Sequence, residues 1–134
     1  MTPERYAEYL AAFNARDYDT VCSFFSDDIV LYTEGHTIRG EEGIRTFYQF
    51  FHEYVREQIE VKRFVSDDNF LFAEATMNLT GLKHLSQAKL NEEGYHRFVE
   101  VPEGLQVSVN LFLHYDLEGA LFKEIRCSTF IAPD

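Results

Sequence analysis

The sequence has no tryptophan, only two cysteines and three prolines among 134 residues, and no long run of apolar residues. Cys22 and Cys127 lie far apart and do not form the disulfide framework of a small secreted domain, so we expect a reduced, cytoplasmic protein. Charged side chains interrupt residues 1–10, which therefore do not resemble a signal peptide. No segment approaches the roughly 18 apolar residues of a membrane-spanning helix.

Positive charge is also scarce in this chain. There are 12 Lys and Arg against 23 Asp and Glu, which gives a formal net charge of −11. Phosphate contacts by Lys and Arg supply most of the affinity of a nucleic-acid-binding protein, and anionic lipids attract the same side chains. We therefore expect neither a nucleic acid nor a membrane as a partner.

Aromatic residues, in contrast, are abundant, with 13 Phe and 8 Tyr. Some of these rings must fill a hydrophobic core, and Tyr also commonly lines ligand pockets because it carries a hydroxyl on an apolar body. The length and the absence of a linker, a repeat or a low-complexity tract predict a single domain over residues 1–134.

Three helices are predicted in the first part of the chain. Apolar residues at helical spacing indicate helices over about residues 3–16 and 41–54. A short helix between them begins near Asp19 as a cap and turns Phe24 and Phe25 inward.

The rest of the chain is predicted to be mostly strands, joined by turn-forming residues. They cover residues 29–33, 58–65, 70–80, 107–117 and 120–130. Residues 82–104 are polar and irregular, and a connection of this length is expected to be either functional or disordered. This order of elements predicts an α+β domain whose helices pack on one face of a curved antiparallel sheet around a cavity.

Several local patterns carry a family resemblance. They are YLAAFNARDYD at residues 9–19, FFSDDIV at 24–30, IRGEEGI at 38–44 and YDLEG at 115–119. These stretches resemble the nuclear transport factor 2-like superfamily, which includes SnoaL-like polyketide cyclases and ketosteroid isomerase. The resemblance implies a cone-shaped, curved antiparallel sheet wrapped around three N-terminal helices, a pocket for a small molecule, and a homodimer.

The resemblance to ketosteroid isomerase extends to only some of its functional residues. Tyr9 falls at the oxyanion-hole tyrosine, and Tyr48 falls at a tyrosine that supports it. The general-base aspartate falls on Thr33, beside Glu34, and the oxyanion-hole aspartate falls near Leu111. Because both acids are missing, steroid-type enolisation by the usual residues is not expected.

The last strand offers a different acid. Alternation places Glu124, Arg126 and Ser128 on one face, and by analogy with the isomerase this face points into the cavity, although a bulge after Gly119 would reverse it. An inward Glu124 and Arg126 would form an acid/base and anion-stabilising pair. The alternative is a structural salt bridge on an open sheet face.

Arg39 precedes Gly40 at the start of the third helix, where we place the mouth of the cavity. Its guanidinium could hold a carbonyl oxygen or an enolate, and some fungal SnoaL-like isomerases resemble this pattern of an arginine before the third helix and a glutamate on the last strand. The alternative is a surface arginine paired with Glu41 or Glu42.

Further residues are candidates for contact with the substrate. Leu113 and Tyr115 share one strand face, so Tyr115 belongs either to the pocket or to the core. Thr33 and Phe25 complete the predicted lining. The five histidines have no metal-ligand spacing, and no phosphate-binding loop or nucleophile elbow is present, so we expect no metal and no cofactor.

The resulting functional hypothesis is a cofactor-independent isomerase or cyclase acting on a polyketide, terpenoid or alkaloid intermediate of secondary metabolism. Glu124 would move the proton, Arg39 or Arg126 would stabilise negative charge, and Tyr9 and Tyr48 would orient the substrate. One alternative is a non-catalytic small-molecule-binding or dimeric scaffold module. Another is a hydrolase of the limonene-epoxide-hydrolase-like branch, which uses an Asp-Arg-Asp arrangement.

Overall fold

The structure is a computed structural model, and it describes residues 1–130. The helices of this part are α1 (Pro3–Asn14), α2 (Tyr18–Cys22), α3 (Gly40–Tyr54) and α4 (Gln87–Glu92). The strands are β1 (Phe25–Thr33), β2 (His36–Arg39), β3 (Val55–Ser66), β4 (Phe70–Gly81), β5 (Gln106–Glu118) and β6 (Leu121–Phe130). None of the helices in residues 1–130 is long and apolar enough to cross a membrane.

Side-chain caps fix where two of the early helices begin. The Thr2 hydroxyl accepts a hydrogen bond from the Arg5 amide, with proline at the next position. For α2 the cap is Asp17 and not Asp19 as predicted, because the chain turns sharply after α1 and the Asp17 carboxylate accepts from Thr20. Those hydrogen bonds lower the pKa of Asp17.

The strands form one curved, unclosed sheet in the order β2-β1-β6-β5-β4-β3. Only β1 and β6 pair in parallel, and the other neighbours are antiparallel. Helices α1 and α3 pack against strands of this sheet. The predicted α+β class and cone are confirmed, although the short strand β2 was not predicted.

The concave face of the sheet carries the buried residues. On β5 they are Leu111, Leu113 and Tyr115, and on β4 they are Ala73 and Ala75. The opposite face of β4 carries Phe72, which is 36% exposed. Burial alternates along both strands as a half-buried sheet requires.

Residues 82–104, the connecting segment, pack on the domain. The segment contains α4, its Leu85 pairs with Val101, and Leu85 and Leu90 are fully buried. Phe98 lies between β2 and α3, with ring centroids 5.4 Å from His36 and 5.5 Å from Phe47. The segment is therefore an ordered cover of the cone, and the alternative that it is disordered is wrong.

Candidate functional site

A cavity of about 330 Å³ lies between the concave face of the sheet, helices α1 and α3, and the connecting segment. This size falls at the lower end of the range for small-molecule sites. Its aromatic wall consists of Tyr9, Phe13, Phe47, Tyr48, Phe51, Phe98 and Tyr115. Tyr9 and Tyr115 are buried, whereas Glu34 and Val99 are exposed, so the cavity opens near the β1–β2 turn and the connecting segment.

Two carboxylates line this cavity, and they lie at different depths. Glu34 is exposed at the tip of the β1–β2 hairpin, where Glu34 and Gly35 both have positive φ, as a tight two-residue turn requires. Glu57 lies on β3 with a side chain only 12% exposed. Glu57 is therefore the acid that a bound molecule would contact inside the cone.

Glu57 is held in place by a buried histidine. Its Oε1 lies 2.7 Å from Nε2 of His52, whose Nδ1 lies 2.8 Å from the Tyr18 hydroxyl. If Tyr18 donates to Nδ1 and Nε2–H donates to Glu57, a neutral histidine has both ring nitrogens satisfied and Glu57 is an ionised acceptor. The arrangement orients one carboxylate oxygen and leaves the other without a partner among residues 1–130.

The side-chain hydroxyls of Tyr9 and Tyr48 form a hydrogen-bonded pair in the wall of the cavity. Each hydroxyl carries one proton, so the mutual bond uses one of the two donors and leaves the other for a ligand. Burial is the main cause that raises the pKa of each, and the Glu57 charge adds to it at Tyr48. Both therefore remain protonated donors at neutral pH.

Tyr115 and Cys127 belong to the same wall of the cavity. The Tyr115 hydroxyl is 2.7 Å from that of Tyr6, so Tyr115 is both core and cavity lining. Burial, and then the negative charges of Glu57 and Glu34, raises the pKa of the Cys127 thiol to about 12. Cys127 is therefore a neutral thiol and not a nucleophile at physiological pH.

Most of the residues predicted to contact the substrate lie in this cavity wall. They are Tyr9, Tyr48, Tyr115, Thr33 and Leu113. Phe25 is buried but does not line the cavity, because it belongs to β1 and not to the short helix, and there it pairs with Phe122.

The prediction that Glu124 and Arg126 face the cavity is wrong. Asp116 pairs with Glu124 and Leu117 pairs with Phe122, so Lys123 is an extra residue that shifts the alternation of β6. Arg126 lies on the outer face, where it donates to Glu124 and, at 2.9 Å, to Asp116. This is the structural salt bridge that the sequence left as the alternative, and hydrogen bonding from the guanidinium lowers the pKa of Asp116.

The prediction that Arg39 lies at the mouth is also wrong. In the β1–β2 hairpin Thr33 pairs with His36 at the tip, whereas Arg39 pairs with Val30 at the far end. Three strand residues span about 10 Å. Ile38 points into the core, so the exposed Arg39 points away from it, toward a shallow depression at the start of α3.

His36 lies close to the cavity mouth, but its ring contacts other residues of the protein. Its ring stacks on Phe98, and its Nε2 accepts a hydrogen bond of 3.1 Å from the Arg97 amide. Burial, followed by the nearby His96 and Arg97 charges, lowers the pKa of His36, while Glu34 has a smaller opposing effect. The neutral ring thus joins the connecting segment to the β1–β2 hairpin.

Sequence reasoning missed Glu57, His52 and Tyr18. The predicted strand began at residue 58, so Glu57 was assigned to no element. Val55, Glu57 and Ile59 alternate, and this pattern would have placed Glu57 on the inward face together with buried Val55.

The comparisons agree with this architecture. The SnoaL-like domain family matches residues 6–124, and the chain belongs to that family. No curated protein matches the sequence.

Solved structures share the fold at low sequence identity. A SnoaL-like polyketide cyclase from Agrobacterium tumefaciens is 20% identical, with a TM-score of 0.71 over 94% of this chain and 88% of that one. A LEH-like epoxide hydrolase from M. tuberculosis is 19% identical, with a TM-score of 0.69 over 95% and 80%. A protein from Catenulispora acidiphila with a ketosteroid isomerase-like fold, in complex with trimethylamine, is 13% identical, with a TM-score of 0.71 over 96% and 86%.

Proposed function

We propose that the protein is a cofactor-independent isomerase or cyclase that moves a proton on a small, largely apolar, oxygenated substrate. The observation that carries this proposal is the orientation of Glu57 by His52 inside an aromatic cavity that is also lined by the hydrogen-bonded hydroxyl pair of Tyr9 and Tyr48. A fixed carboxylate and fixed hydrogen-bond donors in a cavity that excludes water are the parts that such a reaction needs.

In the proposed reaction Glu57 removes a proton from a substrate carbon next to a carbonyl group. The electron pair of the broken C–H bond moves to the carbonyl oxygen, which accepts a hydrogen bond from the Tyr9–Tyr48 hydroxyl pair. Protonated Glu57 then returns the proton to a different carbon, so an isomerisation balances without any other reactant. Substrates of this class include polyketide, terpenoid and alkaloid intermediates of secondary metabolism.

The test is proton exchange in deuterium oxide, followed by NMR on a panel of these compounds. We expect Glu57→Gln to abolish exchange, because glutamine matches the shape of glutamate but cannot take a proton. Glu124→Gln removes the same charge from the outer face and should leave exchange unchanged. Exchange that survives Glu57→Gln would contradict the proposal, and ligands that bind without any exchange would indicate a non-catalytic binding module.

Epoxide hydrolysis is less well supported by this cavity. The related branch uses two aspartates and an arginine, whereas the described residues that line the cavity include no aspartate and no arginine. The named activity of the M. tuberculosis structure therefore does not extend readily to this chain.

We also propose that the protein is a homodimer formed through the outer sheet face. That face carries the half-buried rings of Phe112 and Phe130, stacked 4.5 Å apart, beside Phe72. The adjacent group of Arg126, Asp116 and Glu124 contains one positive and two negative charges, so each copy can offer a guanidinium to a carboxylate of the other.

Sedimentation velocity tests this interface. We expect Phe112→Glu to yield monomers and Val99→Glu, a matched change at an exposed valine outside that face, to leave the dimer intact. A wild-type monomer would contradict the dimer. The free Cys22 and Cys127 suit the reducing cytoplasm that we propose as its location.

A further inference from the structure

The charged groups of the cavity wall are all of one sign. Of the described residues that line it, Glu34 and Glu57 are acidic, and none is Lys, Arg or His. Arg126 is paired on the outer sheet face, and Arg97 lies against Gly35 at the hairpin tip without lining the cavity. A ligand that enters the cone therefore meets carboxylates, hydroxyls and aromatic rings.

The negative charge of the cavity wall determines which ligands bind favourably. An anionic ligand would be removed from water into a largely apolar space and would lie beside a carboxylate, so both desolvation and charge would oppose its binding. A cationic ligand loses its hydration too, but gains an ion pair and the faces of aromatic rings, which attract cations. A neutral ligand gains neither charge interaction.

The hydrogen bonds of Glu57 keep it available as the counter-ion. His52 can satisfy both of its neighbours in its neutral form, donating Nε2–H to Glu57 and accepting from Tyr18. In that state the pair has a net charge of −1, and one carboxylate oxygen has no partner within residues 1–130. Glu34 adds a second negative charge at the mouth, where it favours the entry of cations.

We propose that the cavity is selective for an apolar ligand that carries a positive charge on nitrogen, an amine or an iminium, with Glu57 as its counter-ion. The inference rests on the proposed function only in calling that ligand the substrate. Among the substrate classes considered above, it selects the nitrogen-containing one.

The test uses three probes of similar size and NMR titration of the protein. The probes are benzyltrimethylammonium, its uncharged carbon isostere 2,2-dimethylpropylbenzene, and 3-phenylpropanoate. We expect the ammonium to bind at least tenfold more tightly than the isostere, about 1.4 kcal/mol, and the carboxylate to bind most weakly. Equal affinities for the ammonium and its isostere would overturn the proposal without any variant.

Matched variants separate the cavity charge from the net charge of the protein. Glu57→Gln should remove most of the preference for the ammonium, Glu34→Gln should reduce it less, and Glu124→Gln should leave it unchanged. If Glu124→Gln reduced the preference as much as Glu57→Gln, the preference would arise from the overall charge of −11 and the proposal would fail. Circular dichroism establishes that each variant is folded.

Failure of this inference is distinguishable from failure of the proposed function. Proton exchange on a neutral ketone that depends on Glu57, with no preference for the ammonium, would uphold the function and overturn the charge selectivity. A preference for the ammonium that depends on Glu57, with no exchange in any compound of the panel, would do the reverse.

Discussion

The buried pair of His52 and Glu57 has an exposed counterpart in the same chain, and the two allow a controlled test. His84 and Glu100 are also joined from Nε2 to Oε1 at 2.7 Å. The side chains of the first pair are 2% and 12% exposed, whereas those of the second are 57% and 51% exposed. The geometry is the same and the environment differs.

The expected cost of His52→Leu follows from the contacts that it removes. Leucine retains an apolar body against Phe13 and Tyr48, but it removes a bond to a carboxylate, about 1.5–3 kcal/mol, and a bond to the Tyr18 hydroxyl, about 0.5–1.5 kcal/mol. We therefore expect a loss of about 3 kcal/mol in the free energy of unfolding. His84→Leu breaks a solvated pair and should cost about 0–1 kcal/mol.

Urea unfolding at pH 7.5 measures both values. We expect His52→Leu to lower the midpoint strongly with an unchanged slope, and His84→Leu to lower it little. A double-mutant cycle of His52→Leu with Glu57→Gln then isolates the pairwise part. If His52→Leu cost no more than His84→Leu, the histidine would not hold Glu57 in place, and the proposed catalytic geometry would lose its support.

Three further outcomes follow from the local environments. Because the pKa of His36 is lowered in the folded protein, its contribution to stability is present above pH 6.5, the ordinary value, and is lost as the pH falls below that value. The urea midpoint should therefore drop less between pH 7.5 and pH 5.5 in His36→Gln than in the wild type, and an equal drop would contradict this. A cavity ligand should shift the side-chain NMR signals of Cys127, which lines the cavity, more than those of Cys22, which does not line it; equal shifts would contradict this. Gly81→Ala should lower the free energy of unfolding, measured in urea, by about 1–3 kcal/mol or more, because the added Cβ would lie 2.1 Å from a backbone oxygen. Gly43→Ala in α3 should raise it by about 0.5–1 kcal/mol, because alanine favours the helix and its Cβ has room. Equal effects of the two changes would refute the packing argument.

The regular elements could be predicted because their signals are local. The apolar residues of α3 recur at helical spacing, and the predicted helix over residues 41–54 agrees with Gly40–Tyr54 to one residue. The last two strands were predicted to join across residues 118–119, and the turn lies one residue later, at Gly119 and Ala120. The predicted strands over residues 107–117 and 120–130 agree with β5 and β6 to within one residue at each end.

The face of the last strand depended on a feature without a local signal. Phe122 and Ile125 are both buried although they are three residues apart, because the bulge at Lys123 absorbs one residue. A shift of one residue moves every later side chain to the other face of the sheet. The error at Glu124 and Arg126 is thus a single error of register.

The pair that positions Glu57 could not be read from the sequence for a different reason. His52 lies in the last turn of α3, and β3 follows at Val55 without a loop. The contact between His52 and Glu57 depends on the angle at which the strand leaves the helix. Periodicity describes the inside of an element and gives no information on that angle.

The absence of cationic side chains from the described cavity wall connects the two proposals. When Glu57 removes a proton from a neutral ketone, negative charge develops on an oxygen that only neutral hydroxyls can stabilise, while Glu34 remains negative near the mouth. When it removes a proton from carbon next to an iminium, the ion pair becomes a neutral enamine and a neutral acid, and no anion forms. The wall therefore lowers the barrier more for the second reaction than for the first. We expect an iminium to exchange its proton faster than its parent ketone does, and a faster ketone would contradict this argument.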